Sequence, residues 1–580
     1  MSRTTLALLL LASARSEVVV DTARGPVIGD VVAGVRVFKS IPFAEAERWQ
    51  PPRPVPAWTE PLDARPTASA CLQDGYGSED CLFLYVYAPE EEEETREKTS
   101  KLLLPVMVFV HGGGLQSGDG YQLGTFDGTI LAVSSGVVVV SVQYRLGLLG
   151  FAAVDHDEGV GNLGLLDQRA AFEWVRDNVR HFGGDPSRVT IFGESAGAIS
   201  ICFHLVSPQS RGLFHAAIMQ SGSCEMQVQT LAAGKRYLES YETNRLGGGD
   251  LATAPLELLV WPLQADDNAT KLPFSPYAGA PAFPWCVTID GRQLTDTPHE
   301  LLSSNVEVPV LLGFNKDEFQ YASTSLRGDA LADVPFVNML PRVIPEILSD
   351  LSGITPYYDD ETILSILSHF TAAPPQKLAP LLPLYSQHSE SSVAKLSAMM
   401  VDSTPAAGGF AKRGYGGWIG PCSSLDIASR LPRGAYVYHF SRSAGWPTTA
   451  HAAELPYVFQ HCLYSYRGVG LCQGRLGQEA QTERDLASFI GGYWTTFAKT
   501  AGDPNERAKN SSSAVPFWPP YTSQKKIMHL DLPLVAGPVD PDQAARCAAW
   551  KDALRPPTTP HEPSEQDQQS LKGQPPGVEL

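Results

Sequence analysis

Positive charge is scarce in this chain: 44 lysines and arginines stand against 63 aspartates and glutamates in 580 residues, a formal net charge of −19 at pH 7. The imbalance excludes a nucleic-acid surface, which needs clustered cations against the phosphate backbone. Past the N-terminus there is no run long and apolar enough to cross a bilayer, so no transmembrane segment is expected. No unit repeats at a fixed period, which excludes solenoids and propellers. What the chain does have is apolar content, 43% of residues, enough for a large core.

Two glycine-rich segments carry the chemistry. Residues Gly193-Glu194-Ser195-Ala196-Gly197 form a G-x-S-x-G elbow between a strand, Val189–Phe192, and a helix starting near Ala196. Such a turn is too tight for neighbouring side chains and pushes the serine hydroxyl out of the sheet, with a helix N-terminus beneath it to favour negative charge. His111-Gly112-Gly113-Gly114 follows the apolar run Pro105–Val110 and precedes the serine in the chain, the order expected of an oxyanion-hole loop. Without side chains, its N–H groups can point at a carbonyl oxygen.

The surrounding pattern alternates strand and helix. Glu17–Val20, Gly34–Phe38 and Leu82–Tyr87 are short β-type runs, and Glu90–Glu94 reads as an exposed connection. Pro105–Val110 and Gly136–Tyr144 are continuous apolar runs, as in strands buried on both faces. A helix follows over Leu166–Val179, closed by Gly183-Gly184-Asp185-Pro186, and Ala216–Gln220, Pro309–Gly313 and Ala435–Phe440 read as later core strands. The expectation is an α/β fold: a large, mostly parallel central sheet with helices on both faces. Residues 320–430 read as a mainly helical insertion over the active-site edge, and they and the Leu115–Phe126 loop are expected to set specificity.

Arg3, the apolar Thr4–Leu11 and Ala12-Ser13-Ala14 read as a signal peptide over residues 1–14. Residues 15–554 then form a single domain, and 555–580, rich in Pro, Gln, Ser and charge, a disordered tail. Asn268 and Asn510 open sequons, and nine cysteines fit an oxidising compartment with at least one left over. Spacing suggests two short loops, Cys71–Cys81 and Cys462–Cys472.

The chain resembles the type-B carboxylesterase family of carboxylesterases, cholinesterases and certain lipases. The resemblance runs from about Val18 to Leu554 and rests on Ser78-Glu79-Asp80-Cys81-Leu82, Gly147–Phe151, the run from Gly161-Asn162-Leu163-Gly164 to the elbow, Ile289-Asp290-Gly291, Asn315-Lys316-Asp317-Glu318 and His451 through Phe459. It implies the α/β-hydrolase fold and a serine ester hydrolase with no metal or organic cofactor. By resemblance Ser195 is the nucleophile, Glu318 the triad acid and His451 the base; Gly113, Gly114 and Ala196 donate the oxyanion-hole N–H groups. Glu194 and Ser221 lie beside the triad, and His111 flanks the oxyanion loop. The adjacent Asp317 is the residue most easily mistaken for the acid. The resemblance also implies ion pairs Arg48–Glu79 and Arg145–Asp167 and disulfides Cys71–Cys81 and Cys422–Cys547. Cys202 is expected as a buried free thiol, with Cys224 and Cys286 undecided.

Departures from the family narrow the substrate. The Cys71–Cys81 loop holds only the nine residues Leu72–Asp80, with Tyr76 and no tryptophan, and the segment after Ser221 also lacks one. Cation–π recognition of choline is therefore poorly supported. A small-molecule or lipid ester is expected, with thioester cleavage or a catalytically silent, neuroligin-like adhesion module as alternatives; the oligomeric state stays open. Secretion is expected, with the endoplasmic-reticulum lumen as the alternative because the chain ends Gly577-Val578-Glu579-Leu580 and shares Glu-Leu with retention signals.

Overall fold

The middle of the chain builds a sheet because its apolar runs can be buried on both sides. In the computed structural model, residues 16–73, 76–90, 103–224, 228–260, 285–318, 359–371, 373–388, 395–396, 398–399, 402, 420–442, 449, 451–460, 478–505, 515–521 and 524–554 are described. Twelve strands form one continuous path: β1 (Ser16–Asp21), β2 (Pro26–Val32), β3 (Val35–Pro42), β4 (Phe83–Pro89), β5 (Leu104–Val110), β6 (Val138–Val142), β7 (Gly184–Glu194), β8 (Ala216–Gln220), β9 (Val310–Asn315), β10 (Ala435–Phe440), β11 (Lys526–Leu530) and β12 (Val535–Pro538). A two-residue piece, Leu62–Asp63, pairs with β2 as the thirteenth strand.

In space the order is β1-β2-β3-β4-β6-β5-β7-β8-β9-β10-β11-β12. The strands from β6 to β11 are mutually parallel, and antiparallel strands close both edges. The chain runs outward one way from β5 to β6 and the other way to β7. The crevice at the carboxyl ends of β5 and β7 is thus a topological switch point, where α/β sheets hold their ligands.

Alternate residues of one strand face opposite layers. Val106, Val108 and Val110 of β5 join a cluster with Phe172 and Val175 of helix α1 (Leu163–Asn178) and Ile199 and Phe203 of helix α2 (Ala196–Val206). Met107 and Phe109 join a second cluster on the other side with Leu486, Ile490 and Trp494 of the later helix Gln478–Lys499. This is the three-layer architecture expected of the sequence, with the strand boundaries shifted by a few residues. Strand β2, one in from the edge, is an addition: its interior Gly29 and Asp30 weaken a β-type pattern, and pairing with β1 and β3 supplies what propensity does not.

The described parts of the expected insertion are helical: α3 (Asp360–Thr371), short turns over Pro375–Leu378 and Ala379–His388, and α4 (Pro421–Arg430). Ile363, Leu367, Leu381 and Tyr385 share an apolar cluster with Trp550 and Leu554 at the C-terminal helix Pro541–Ala553. Residues 319–358, the signal peptide, both sequons, Cys462, Cys472 and the tail from 555 lie outside the described residues.

Among the described residues three disulfides are present, Cys71–Cys81, Cys422–Cys547 and Cys202–Cys224. The last corrects the expectation that Cys202 is a free thiol. On sequence it is one more small apolar residue of a fully buried helix, but the chain returns after β8 to place Cys224 beside it. The buried free thiol among the described residues is Cys286, pushed up to about 12 by burial. Among the described residues no helix is long and apolar enough to cross a membrane.

Both expected ion pairs form, in different settings. Arg145 holds Asp167 in a two-pronged contact, Nη2–Oδ1 2.7 Å and Nε–Oδ2 2.8 Å, and the Arg145 backbone N–H donates to Oδ2 at 3.0 Å. The two side chains are 7% and 0% exposed, against 23% and 31% for Arg48 and Glu79. Removing one partner of a buried pair strands a charge, whereas a half-exposed pair is rescued by water. Asp167→Ala is therefore expected to lower the unfolding free energy by ~3–5 kcal/mol, and Glu79→Ala by ~1 kcal/mol or less. Urea unfolding of both variants checks this; equal losses would show that burial does not set the difference.

Candidate active site

Five loops leave the carboxyl ends of β5, β7, β8, β9 and β10 and meet at the switch point. Ser195 terminates β7 and caps α2 with φ 57° and ψ −124°, a left-handed-side conformation that an ordinary turn residue avoids. The elbow's glycines are a steric requirement. A Cβ on Gly197 would lie 2.0 Å from the Val110 carbonyl oxygen, so only glycine lets α2 start against the end of β5. The Ser195 N–H donates to the Gln220 carbonyl at 2.9 Å, tying the turn to the end of β8. On the other side, a Cβ on Gly112 would sit 2.9 Å from the Ser195 Cβ, which measures how closely the glycine loop abuts the serine. Gly113 and Gly114 both have positive φ. His111 anchors this loop: its Nδ1 lies 2.8 Å from the Gly112 carbonyl oxygen, and its ring stacks on Tyr144 at 4.4 Å.

Glu318 and His451 come from the ends of β9 and β10 and meet. The Glu318 Oε2 is 2.6 Å from His451 Nδ1, its Oε1 accepts the Asn315 backbone N–H at 2.6 Å, and the His451 N–H donates to the Glu318 carbonyl at 2.9 Å. The imidazole's other nitrogen, Nε2, lies 3.0 Å from Glu194 Oε1. The ring is therefore held between two buried carboxylates. Burial alone would depress the His451 pKa, but Glu194 and Glu318 outweigh it and raise it to about 9. Glu194 is itself raised to about 8, chiefly by burial and further by Glu454 and Glu318, with His451 opposing.

Behind these residues lies a polar layer the sequence did not announce. Glu454 is fully buried, and its carboxylate accepts from Gln220 Nε2 at 3.0 Å and from Asn315 Nδ2 at 2.6 Å; the Trp494 indole N–H donates on to Gln220 Oε1 at 3.0 Å. Burial raises the Glu454 pKa. Asp317 turns away from the imidazole: its carboxylate accepts the Thr449 N–H at 2.7 Å. Ser221 is buried at φ 49°, with its N–H donating to the Gly313 carbonyl at 2.9 Å. Among the described residues no group of three or more His, Cys, Asp or Glu could hold a metal ion.

Comparison with known proteins places this arrangement. The sequence profile of the carboxylesterase family matches residues 16–339 and 421–550. The chain is 32% identical to acetylcholinesterase of Electrophorus electricus, covering 89% of this chain and 85% of that protein. It is 30% identical to the rat (Rattus norvegicus) pyrethroid hydrolase Ces2e, over 88% and 84%, and 30% identical to human (Homo sapiens) cocaine esterase, over 92% and 91%. Among solved structures, a PNB esterase superposes with a TM-score of 0.68 at 28% identity, covering 92% of this chain and 100% of its own. The carboxylesterase EST55 of Geobacillus stearothermophilus gives 0.67 at 26%, covering 92% and 99%. With the family profile spanning most of its length and esterases on both sides of the comparison, the chain belongs to the carboxylesterase family and is a carboxylic ester hydrolase of the α/β-hydrolase fold.

Proposed function

We propose that ester cleavage here runs through an acyl-enzyme on Ser195, with His451 as base and Glu318 as the acid that orients it. The observation that carries this is the 2.6 Å contact between Glu318 Oε2 and His451 Nδ1, buried beside the strained serine turn. Nδ1–H donates to the carboxylate, which fixes the tautomer and leaves Nε2 to take the serine proton. The oxygen attacks the ester carbonyl, and the oxyanion accepts N–H bonds from Gly113, Gly114 and Ala196, each worth ~3 kcal/mol of transition-state stabilisation. The imidazolium then protonates the leaving alcohol, and water, deprotonated by His451, releases the acid.

Glu194 Oε1 lies 3.0 Å from Nε2, the nitrogen proposed to take the serine proton, and steadies the imidazolium once it forms. The substrate class is a neutral small-molecule ester, in keeping with the absence of tryptophan in the Leu72–Asp80 loop. The three disulfides among the described residues fit an extracellular or lumenal compartment; the proposal extends to secretion, read from residues 1–14, and to glycosylation at the candidate sequons Asn268 and Asn510.

Hydrolysis of p-nitrophenyl butyrate tests the assignment. Wild type is expected to turn over and Ser195→Ala to lose about a millionfold in kcat; a folded Ser195→Ala variant of undiminished rate would remove the nucleophile. The pH profile tests the charge arrangement. A base must be neutral to accept a proton, so a raised His451 pKa moves the ascending limb of kcat/KM to more alkaline pH than an ordinary imidazole gives. Glu194→Gln deletes one of the three carboxylates that raise it, and the limb is expected to move toward acid; an unmoved limb would show that Glu194 does not set it.

A further inference from the structure

We propose that Glu483 is a positioning residue for the base: one buried carboxylate that holds both ends of the segment carrying His451. That segment joins β10, which ends at Phe440, to the short helix α5 (Leu455–Val458), and Glu483 lies in the first turns of the long helix α6 (Gln478–Lys499) packed against it. At the leading end, Arg442 Nε donates to Glu483 Oε1 at 3.1 Å. At the trailing end, the Tyr457 hydroxyl donates to Oε2 at 2.6 Å. The rings of Phe440 and Tyr457 lie 5.1 Å apart, so the two ends also touch directly.

The carboxylate is 0% exposed, and a charge so placed is tolerable only while its oxygens are engaged. Oε1 is engaged by Arg442, and Oε2 by Tyr457 with Arg442 Nε also 3.4 Å from it, so one carboxylate ties both ends of the segment to α6. The leading end has a second hold: Ser441 Oγ donates to Asp531 Oδ2 at 3.2 Å, and Arg442 Nη1 lies 3.6 Å from Asp531 Oδ1.

The inner part of the segment is laced to the acid. Thr449 and Asp317 exchange two bonds, Thr449 N–H to Asp317 Oδ2 at 2.7 Å and Asp317 N–H to the Thr449 carbonyl at 3.1 Å, next to the bond from the His451 N–H to Glu318. The base is thus fixed at the centre by the Asp317–Glu318 loop and at the periphery by Glu483. Loosening the periphery lets the imidazole drift from both flanking carboxylates. Displacements of the order of 1 Å in a catalytic group cost ~100-fold in rate. The same drift removes the charges that raise the imidazole's pKa, so it also changes the pH profile.

This inference rests on His451 being the base, and the test separates the two. Tyr457→Phe, Glu483→Gln, Arg442→Ala, Arg442→Lys and His451→Ala are assayed for kcat, KM, the ascending limb of kcat/KM and Tm with p-nitrophenyl butyrate. Tyr457→Phe and Glu483→Gln are expected to lower kcat by ~10- to 100-fold, leave KM within ~2-fold and move the limb toward acid. Arg442→Lys recovers most of what Arg442→Ala loses. Tyr457→Phe removes a single oxygen and decides the matter if Glu483→Gln does not fold. A lower Tm with kcat and the limb unmoved, while His451→Ala is inactive, overturns the positioning role and leaves Glu483 a purely structural anchor. Full activity in His451→Ala overturns the base assignment, and Glu483's role with it.

Discussion

The site depends on how close helix α2 comes to the end of strand β5. A hydrogen in place of a side chain at Gly197 admits the Val110 carbonyl at a distance no Cβ would survive. Everything else at the switch point follows from that approach. Ser195 is forced to positive φ at the head of the helix, and the glycine loop after Val110 is brought against it. The loops after β8, β9 and β10 then need only reach the same edge, which parallel strands in register deliver. The geometry of the candidate site is a consequence of backbone packing before any side-chain chemistry enters.

Charge is then concentrated where water is absent. Glu194, Glu318 and Glu454 are all buried around one imidazole. Their mutual repulsion and desolvation are offset by different means: Glu318 by a backbone N–H and His451, Glu454 by two amide side chains, and Glu194 by His451 with its own pKa raised toward neutrality. The result favours an imidazolium, the charged form that the proposed mechanism needs between proton abstraction and leaving-group departure. Preorganised charges of this kind need no reorientation when the transition state forms.

Much of this was legible in the sequence, for physical reasons that can be stated. The central strands are buried on both faces, so Ala216–Gln220 and Ala435–Phe440 show as plain apolar runs with the boundaries they have in the fold. The two glycine motifs are local, since their backbone demands are met within a few residues. Glu318 and His451 had no local signature beyond their family resemblance. Asp317, next to the acid, looks equally suited to its role until the turn sends its carboxylate to Thr449. Glu454 and Glu483 were invisible because the partners that make them buried carboxylates lie on other strands and helices. Cys202 was misjudged for the same reason: a helical cysteine facing the core gives no hint that the chain returns to it.

The Cys202–Cys224 bridge has a consequence for biosynthesis. Both cysteines precede Glu318 and His451 in the chain, so in an oxidising compartment the bridge, which ties the middle of α2 to the segment after β8, can close while those two residues have yet to be made. Helix α2, which follows Ser195, is then covalently tied to the end of β8 before the later strands join it. The order of motifs along the chain thereby lets Ser195 and its bridged helix be made before the two residues proposed as its acid and base.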